Sequence, residues 1–365
     1  MSNHQGKLEK LISELCPNGV EFKELGEIVK IRHGKSYKEL GAGNIPVYGS
    51  GGIMTHVDSY SYDKPTVLIP RKGTITNLFY IETPFWNIDT IYYTEINIDK
   101  IVPKFFYHYM KTVDLEALNT GSGRPSLTMQ ILNRINIPLP PLEIQKEIVN
   151  ILDKFAELET ELETELETRK KQYGYYRDEL LTFEGVERKP LGLVADIGTG
   201  SSNTNEGLEE GRFPFFVRSP IIRYKNSFEF DETAIITSGD GAGVGKIFHF
   251  VEGKYALHQR AYRIHITNRY LLPKFFFYCM KSTFKKYILG NAVNSSVRSV
   301  RKPMLDNYPV PIPPIEEQER AVAILDKFDA LVNDISIGLP AELAARRKQY
   351  ECYRNKLLTF KEYEN

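Results

Sequence analysis

Four stretches of this 365-residue chain occur twice, in the same order, and that duplication constrains the fold more than any single motif. GVEFKELGEIVKI from Gly19 matches GVERKPLGLVADI from Gly185, 166 residues later. VPKFFYHYMK from Val102 matches LPKFFFYCMK from Leu272, with Pro103 against Pro273 at an offset of 170. IPLPPLEIQKEIVNILDKF from Ile137 matches VPIPPIEEQERAVAILDKF from Val310 at an offset of 173, and RKKQYGYYRDELLTF from Arg169 matches RRKQYECYRNKLLTF from Arg346 at 177. The chain is a head followed by a helical rod, written twice. The final step in offset, 177 − 173 = 4, puts one extra helical turn in the second rod.

The first rod, Pro140 to Phe183, reads as one long helix. Ile144, Ile148, Ile151, Phe155, Leu158, Leu162, Leu166, Tyr173, Tyr176, Leu180 and Phe183 recur mostly at alternating steps of four and three, the spacing of a coiled-coil seam. Glu-Leu-Glu-Thr occurs three times from Glu157 to Thr168, and its successive steps of four form a stutter that unwinds the supercoil locally. Six glutamates in that stretch demand solvent, so the rod is a spacer of roughly 60 Å rather than a core helix. Pro140-Pro141 and Pro313-Pro314 punctuate the two helix entries. Gly338 and Pro340 predict that the second rod is kinked or split there.

An apolar fraction of 42% with 12% aromatics supplies real cores for two or three domains. No apolar run approaches the ~20 residues of a membrane span. MSNHQGKLEK at the start has no hydrophobic signal region, so a cytoplasmic location is the expectation. Cys16, Cys279 and Cys352 are widely separated and form no CxxC, which predicts free thiols. Basic and acidic residues balance at 47 each, and the distribution says more than the sum. Residues 187–313 hold 18 Lys/Arg against 11 Asp/Glu, residues 20–140 hold 13 against 12, and acid gathers in the helical segments.

In order, a short helix over residues 7–15 is stopped by Pro17 and Gly19. The first head then offers β-type runs at Glu27–Ile31, Thr66–Pro70, Leu78–Ile81 and Thr90–Ile96, with one helix at Pro103–Lys111. KLISELCPNGVE at the N-terminus resembles RDELLTFEGVE at the end of the first rod, so the chain begins partway through a repeat. The terminal helix is expected to dock beside the C-terminal rod, closing a two-fold-like ring with antiparallel rods and heads at opposite ends.

Catalytic motifs fail one by one. The glycine-rich loop Ser238–Lys246 satisfies neither a P-loop nor GxGxxG, although a turn presenting Lys246, or Arg71 and Lys72 in the first head, fits a shared kind of partner. The seven histidines form no HExxH, and no GxSxG or Asn/Asp-Pro-Pro-aromatic tetrad occurs. The heads do offer donors and planar groups in turn-rich segments. The first has Arg32, His33, Lys35, Tyr37, Arg71, Lys72, Asn77, Trp86, Asn87 and Arg124; the second has Ser201, Asn203, Arg218, Arg223, Lys246, His258, Gln259, Arg260, Arg298 and Arg301. Arg and Lys suit guanine edges and phosphates, Asn and Gln suit adenine edges, and such loops can read a major groove.

The repeats and rods together resemble the specificity subunit of type I restriction-modification systems. The I-P-x-P-P-x-x-x-Q-x-x-I-x-x-x-L-D entry stands at Ile137–Asp153 and Val310–Asp326, departing in the second copy at Val310 and Ala321, and the R-x-K-Q-Y-x-x-x-R-x-x-L-L-x-F run stands at Arg169–Phe183 and Arg346–Phe360. The resemblance implies two α/β target-recognition domains joined by two long antiparallel coiled-coil helices in a closed, pseudo-two-fold arrangement. On this reading residues 1–19 are a helical arm, 20–139 and 185–312 the recognition domains, and 140–184 and 313–365 the helical regions. It further implies a chain without a catalytic centre that binds double-stranded DNA at a bipartite site. Two methyltransferase subunits would dock on it and restriction subunits would join them. S-adenosylmethionine, ATP and Mg would belong to those partners. Spacing and docking would fall to Leu158, Leu162, Leu166, Tyr173, Tyr176, Leu180, Leu339, Leu343, Tyr350, Tyr353 and Leu357. A coiled-coil adaptor whose heads bind proteins is the competing reading, and an autonomous methyltransferase or nuclease lacks its motifs. Salt-dependent binding to duplex DNA separates the adaptor from the specificity subunit.

Overall fold

The computed structural model describes residues 2–121, 123–290, 299–334 and 336–363. They form two compact units, Met1–Leu162 with Leu343–Asn365, and Glu163–Glu342. Each unit combines one head, the entry of the rod that follows it, and the tail of the other rod.

The first head builds a four-stranded antiparallel sheet in the order Val29–Arg32, Ile91–Ile96, Thr66–Pro70, Phe79–Ile81. The hairpin Ile45–Gly49 and Gly52–Val57 forms a second sheet with Trp86–Asn87, which pairs in parallel with Ile45–Gly49. In the second head the same elements make one six-stranded sheet: Ala195–Thr199, Ala261–Ile266, Phe230–Ser238, Phe248–Leu257, Phe213–Phe216, Arg223–Lys225. Proline accounts for the split. Phe248–Leu257 is one ten-residue strand, whereas its counterpart breaks between Ile81 and Trp86, where Pro84 has no N–H for the ladder.

A helix led by proline covers each sheet. Pro103–Met110 buries Phe105 and Phe106, and Pro273–Gly290 buries Phe275, Phe276, Phe284 and Ile288 against Ile235 and Ile264. Short antiparallel clamps, Phe22–Glu24 with Asn136–Pro138 and Arg188–Pro190 with Pro309–Pro311, close the base of each head. The sequence places most first-head elements within a residue or two. The run from Glu27 begins instead as a helical turn, Leu25–Ile28, before the strand Val29–Arg32. The hairpin at Ile45–Val57 was hidden by its glycines and small polar residues.

The motif glutamine at each rod entry is fully buried and holds rod to head. Gln145 Nε2 donates to the Lys100 and Pro140 carbonyls at 3.0 and 2.8 Å, and its Oε1 accepts from the Val102 amide at 2.7 Å. Gln318 repeats the pattern with Tyr270, Pro313 and Leu272, each at 2.8 Å. About two turns further on, Lys104 reaches Asp153 at 2.7 Å in the first unit, and Lys274 reaches Asp326 at 3.6 Å in the second. Neither amide nor carboxylate is free to act on a ligand.

The central helix is continuous from Leu142 to Leu180. The second rod is split, as Gly338 and Pro340 predict, into Ile315–Asn333 and Leu339–Leu357. At the break Asp334 accepts from the Ser336 amide at 2.7 Å. A Cβ on Gly338 would lie 2.4 Å from the Ala330 carbonyl, so the break closes this tightly only over glycine. Within the first unit Phe155 packs on Tyr350 and Tyr353, with ring centroids 6.4 and 5.2 Å apart, and Glu159 pairs with Arg347 at 2.6 Å. Rising numbers on one helix meet falling numbers on the other, so the segments are antiparallel. Within the second unit Tyr173 and Tyr176 pack on Phe328, and the Tyr173 hydroxyl donates to Asp329 at 3.2 Å.

The N-terminal helix, Ser2–Leu15, is longer than residues 7–15. Leu8 is buried in the same core as Leu358, and Lys7 pairs with Glu147 at 2.6 Å. The Val20 amide donates to the Lys361 carbonyl at 2.9 Å, and Tyr363 donates back to Val20 at 2.9 Å.

Candidate nucleic-acid interface

Five of the candidate residues of the second head line one cavity. Asn203, Arg218, His258, Gln259 and Arg260, with Thr204 and Asn205, surround about 390 Å³. They reach it from three segments: the loop after Ala195–Thr199, the loop after Phe213–Phe216, and the turn between Phe248–Leu257 and Ala261–Ile266.

Asp240, from the glycine-rich loop, organises the basic side of this cavity. Its Oδ1 lies 2.5 Å from Arg218 Nη1 and its Oδ2 lies 3.2 Å from Arg260 Nη1. Burial alone would raise the Asp240 carboxyl, but Arg218 and then Arg260 outweigh it and hold it below the ordinary carboxylate range. The Arg260 side chain keeps 61% of its surface exposed, so one carboxylate aims a guanidinium fork that still faces outward. His258 is buried, its Nδ1 accepting from the Arg260 amide at 2.9 Å. Desolvation and the positive charge of Arg218 push its pKa down, so it is a neutral spacer behind the arginines.

Asn203 and Gln259 form the amide side, with Gln259 Nε2 2.5 Å from Asn203 Oδ1. Their loop is braced from below. Glu229 accepts from the Ser201 amide and hydroxyl at 2.8 and 3.1 Å and from the Ser202 hydroxyl at 2.5 Å, while Lys225 bridges Ser202 and Glu206 at 2.7 Å each. Ser201 therefore acts on the loop. Arg223 lies on the neighbouring strand, 3.5 Å from the Thr204 carbonyl. Lys246 and Arg301 are exposed and lie away from this lining, and Arg298 lies outside the described residues. Asp240, Glu229 and Lys225 were missed in the sequence; the recurrence of a polar turn at Ser238–Lys246 was the one available signal.

The first head spreads its candidates more widely. Arg71 Nη1 lies 3.4 Å from the Asp89 carbonyl, and Lys72 is exposed beside it. Arg124 is exposed on the segment that Asn119 folds by accepting from the Gly121 and Ser126 amides, both at 2.9 Å. Other candidates are committed to the fold. Asn87 is fully buried, donating to the Ile91 carbonyl at 2.8 Å and accepting from Ser61 at 3.0 Å, so it can read no base. Trp86 is half-buried and donates to the Lys35 carbonyl at 3.0 Å. Arg32 is held by both oxygens of Glu95 at 3.0 Å, and His33 stands edge-on to Tyr92 at 5.1 Å. Tyr37 is half-buried, and Asn77 donates to the Ser50 carbonyl at 3.2 Å.

The chain thus carries two heads with matched clamps, glutamine-locked rod entries and different loop chemistry. Residues 17–169 and 184–345 each match the model of the type I restriction modification DNA specificity domain. The chain belongs to that specificity family. It is 30% identical to a putative type I restriction enzyme specificity subunit of Haemophilus influenzae, over 99% of this chain and 100% of that one. It is 32% identical to a type I restriction enzyme specificity subunit of Escherichia coli, over 97% and 96%. The solved S subunit of a type I restriction-modification system from M. genitalium shares the fold at a TM-score of 0.65 and 16% identity, covering 93% of this chain and 96% of that one. A second type I system chain aligns at 0.58 and 17%, over 94% and 98%.

As a member of the specificity family, the chain keeps its rod residues mostly for itself. Tyr173 is buried in the second unit, where Leu166 and Leu180 pack on the core. Tyr350 and Leu357 pack on the core of the first unit, and Tyr353 stacks on Phe155. Leu339 is buried, Leu162 and Leu343 are half-buried, and Leu158 and Tyr176 are exposed at 36% and 43%. Among the described residues no helix is long and apolar enough to cross a membrane, and no group of three or more His, Cys, Asp or Glu side chains fits a metal ion.

Proposed function

We propose that this chain is the non-catalytic, DNA-recognising subunit of a type I restriction-modification complex, and that each head reads one half of a bipartite site. The observation that carries this reading is the contrast between scaffold and loops. The two heads repeat the same clamp and the same buried glutamine, yet one presents Arg218 and Arg260 on Asp240 where the other presents Lys72. Identical frames with different donors suit two different half-sites. On this reading the recognition domains are residues 20–139 and 185–312, and Arg260 with Asn203 and Gln259 reads base edges while Lys246 and Arg301 hold phosphates.

The rods set the gap between half-sites and dock two methyltransferase subunits, with restriction subunits joining that core. S-adenosylmethionine, ATP and Mg are held by those partners. The surfaces left for docking are the outer faces of the rods, including Tyr175, because the inner seam is filled by the chain's own helices, Tyr176 stacking there on Phe328. The boundary between the two units falls at Leu162 and Glu163, inside the tetrapeptide repeat. Each repeat adds ~6 Å and about 40° of helix, against ~3.4 Å per base pair of DNA. Co-expression with the methyltransferase subunit, followed by genome-wide adenine-methylation mapping, tests the whole reading. A two-part motif with a fixed gap is expected, and removal of Glu161–Thr164 shortens the gap without altering either half. A continuous motif, or an unchanged gap, refutes it.

A further inference from the structure

Each head carries an exposed apolar pair at the same place in its fold, and neither the clamp nor the rods account for it. Ile53 and Met54 are 56% and 55% exposed, and Ile221 and Ile222 are 72% and 41% exposed. The stretches do not resemble one another in sequence. The structure aligns them nonetheless. Tyr48 pairs in parallel with Asn87, and Phe216 pairs in parallel with Leu257; each apolar pair follows five and six residues later, 53 − 48 and 221 − 216 giving the first step. Both pairs lie at hairpins whose return strands, Gly52–Val57 and Arg223–Lys225, are sheet edges.

Both hairpins are held stiffly. In the second head Arg218 on Asp240 fixes one end, and Arg223 on the Thr204 carbonyl fixes the other, so the apolar tip springs from two walls of the cavity described above. Between them the Ile221 amide donates to Ser219 Oγ at 3.1 Å and the Ser219 carbonyl meets His249 at 3.2 Å. In the first head the Ser50 carbonyl accepts from Asn77 at 3.2 Å, and the Ser50 amide faces Thr90 Oγ1 at 3.4 Å. Gly52, at φ +114°, makes the turn that residues with side chains resist.

The surroundings select the occupant. Residues 217–225 contain Arg218, Arg223 and Lys225 and no acid, and residues 45–57 contain no acid either. Ser50 Oγ lies 3.2 Å from where a Cβ on Gly73 would stand, which places the first hairpin beside Lys72. A braced hairpin whose apolar pair sits beside more cation than anion, with Arg218, Arg223, Lys225 and Arg260 against Asp240 and Glu206 in the second head and Lys72 in the first, fits a polyanion with an apolar interior. Edge strands ordinarily carry charge or proline to prevent association, so paired aliphatics at an edge require something to cover them.

We propose that each hairpin is a DNA wedge: Ile53 with Met54, and Ile221 with Ile222, press between base pairs at or beside the half-site their head reads and unstack one step. The inference rests on the reading of the heads as DNA readers and adds deformation to direct contact. It makes the four aliphatic residues specificity determinants through the cost of opening a step. Pyrimidine–purine steps, the easiest to open, are favoured there.

The test uses the full chain assembled with its methyltransferase subunits on duplexes carrying the mapped site. Ile221→Ser with Ile222→Ser alters the second hairpin, and Ile53→Ser with Met54→Ser the first. Because the replaced side chains are exposed, thermal unfolding should not move. Each double variant is expected to bind intact duplex at least about tenfold more weakly, given an unstacking energy of a few kcal/mol per step, with an unchanged salt slope because no phosphate contact is lost. A single mismatch walked across and beside each half-site should tighten binding of the unaltered protein at one step per head. Each variant should lose that gain at its own half-site only. Variants that bind and respond to mismatches like the unaltered protein overturn the wedge while leaving the bipartite reading intact. Variants that no longer assemble with the methyltransferase subunits also overturn it, and assign the hairpins to protein docking. Failure of the unaltered protein to prefer the bipartite site would instead strike the parent reading.

Discussion

The two heads share a backbone cradle and differ in what it holds. In the first, the Arg71 amide donates to the Thr90 carbonyl at 2.8 Å, and the Leu127 amide donates to the Arg71 carbonyl at 2.9 Å. In the second, Gly239 donates to Arg260 at 2.9 Å, and Val300 donates to Gly239 at 2.7 Å. Lys72 bridges Ser126 where Asp240 bridges Ser299. Position by position, Ser50, Lys72 and Thr90 stand where Arg218, Asp240 and Arg260 stand. The backbone bonds fix where three loops meet, so the side chains at the meeting point can change without disturbing the frame. A duplicated reader needs this separation of frame from reading, and it fits the repeated motifs containing none of the candidate contact residues.

The sharpest way to break the comparison is to attack the frame in one head alone. Gln318→Leu removes a buried side chain and strands the Leu272 amide with the Tyr270 and Pro313 carbonyls. The buried Pro313 carbonyl alone should cost ~1–3 kcal/mol, and the part-buried Leu272 amide and Tyr270 carbonyl add less. Hydrogen exchange is expected to show the second head opening while the first keeps its protection. Gln145→Leu should give the mirror result. Equal loss in both heads would mean that the frames are not independent.

Arg260→Ala attacks the reading instead. One base position of the second half-site should relax by about 1–3 kcal/mol, as expected for a lost bidentate pair, with the first half-site unchanged in methylation mapping. Asp240→Asn should do less, because the arginines remain but lose the carboxylate that aims them. Its signature is a broadened preference at the same position, whereas lost phosphate contacts would weaken binding across all sequences.

The frame was legible in the sequence because it rests on local signals. Proline opens the helices, the spacing of Phe105 and Phe106 or Phe275 and Phe276 buries one face, and the rods repeat at fixed steps. Gly338 announced the break in the second rod, since close approach to three carbonyls admits no side chain. The reading was legible only in part. Asn203, Arg218, His258, Gln259 and Arg260 were named from residue type, and three separate loops had to meet before they became one cavity. The same logic named Asn87, which the fold buries, and Arg32, which Glu95 holds. Asp240 escaped because an acid beside a nucleic-acid surface looks wrong until its two arginines are seen. The hairpin aliphatics escaped because nothing in one sequence distinguishes an exposed isoleucine from a buried one.

Protonation offers a smaller and reversible contrast. His249 and His258 both lie in the second head, and both are pushed below the ordinary histidine range, first by desolvation. Only the Ser219 carbonyl works against that shift at His249, while Arg218 reinforces it at His258. For a group with a depressed folded-state pKa of this kind, the unfolded chain takes up the proton first. Stability is therefore undiminished above about pH 6.5, the unfolded value, and falls as pH drops below it. Asp240 acts later and in the same direction: its carboxyl is depressed, so its contribution is complete above the unfolded carboxylate value near 3.9 and is lost as pH falls through the lower folded value. Of these three groups only the two histidines titrate as pH falls from 7 to 5.5, and the second head should loosen around the Ser219 hairpin. Hydrogen exchange at the two pH values, corrected for intrinsic rates, would show the protection lost there. His258→Gln, which keeps polar atoms on the ring's site without a titrating group, should remove part of that pH dependence, and retention of the full dependence would move the effect to His249.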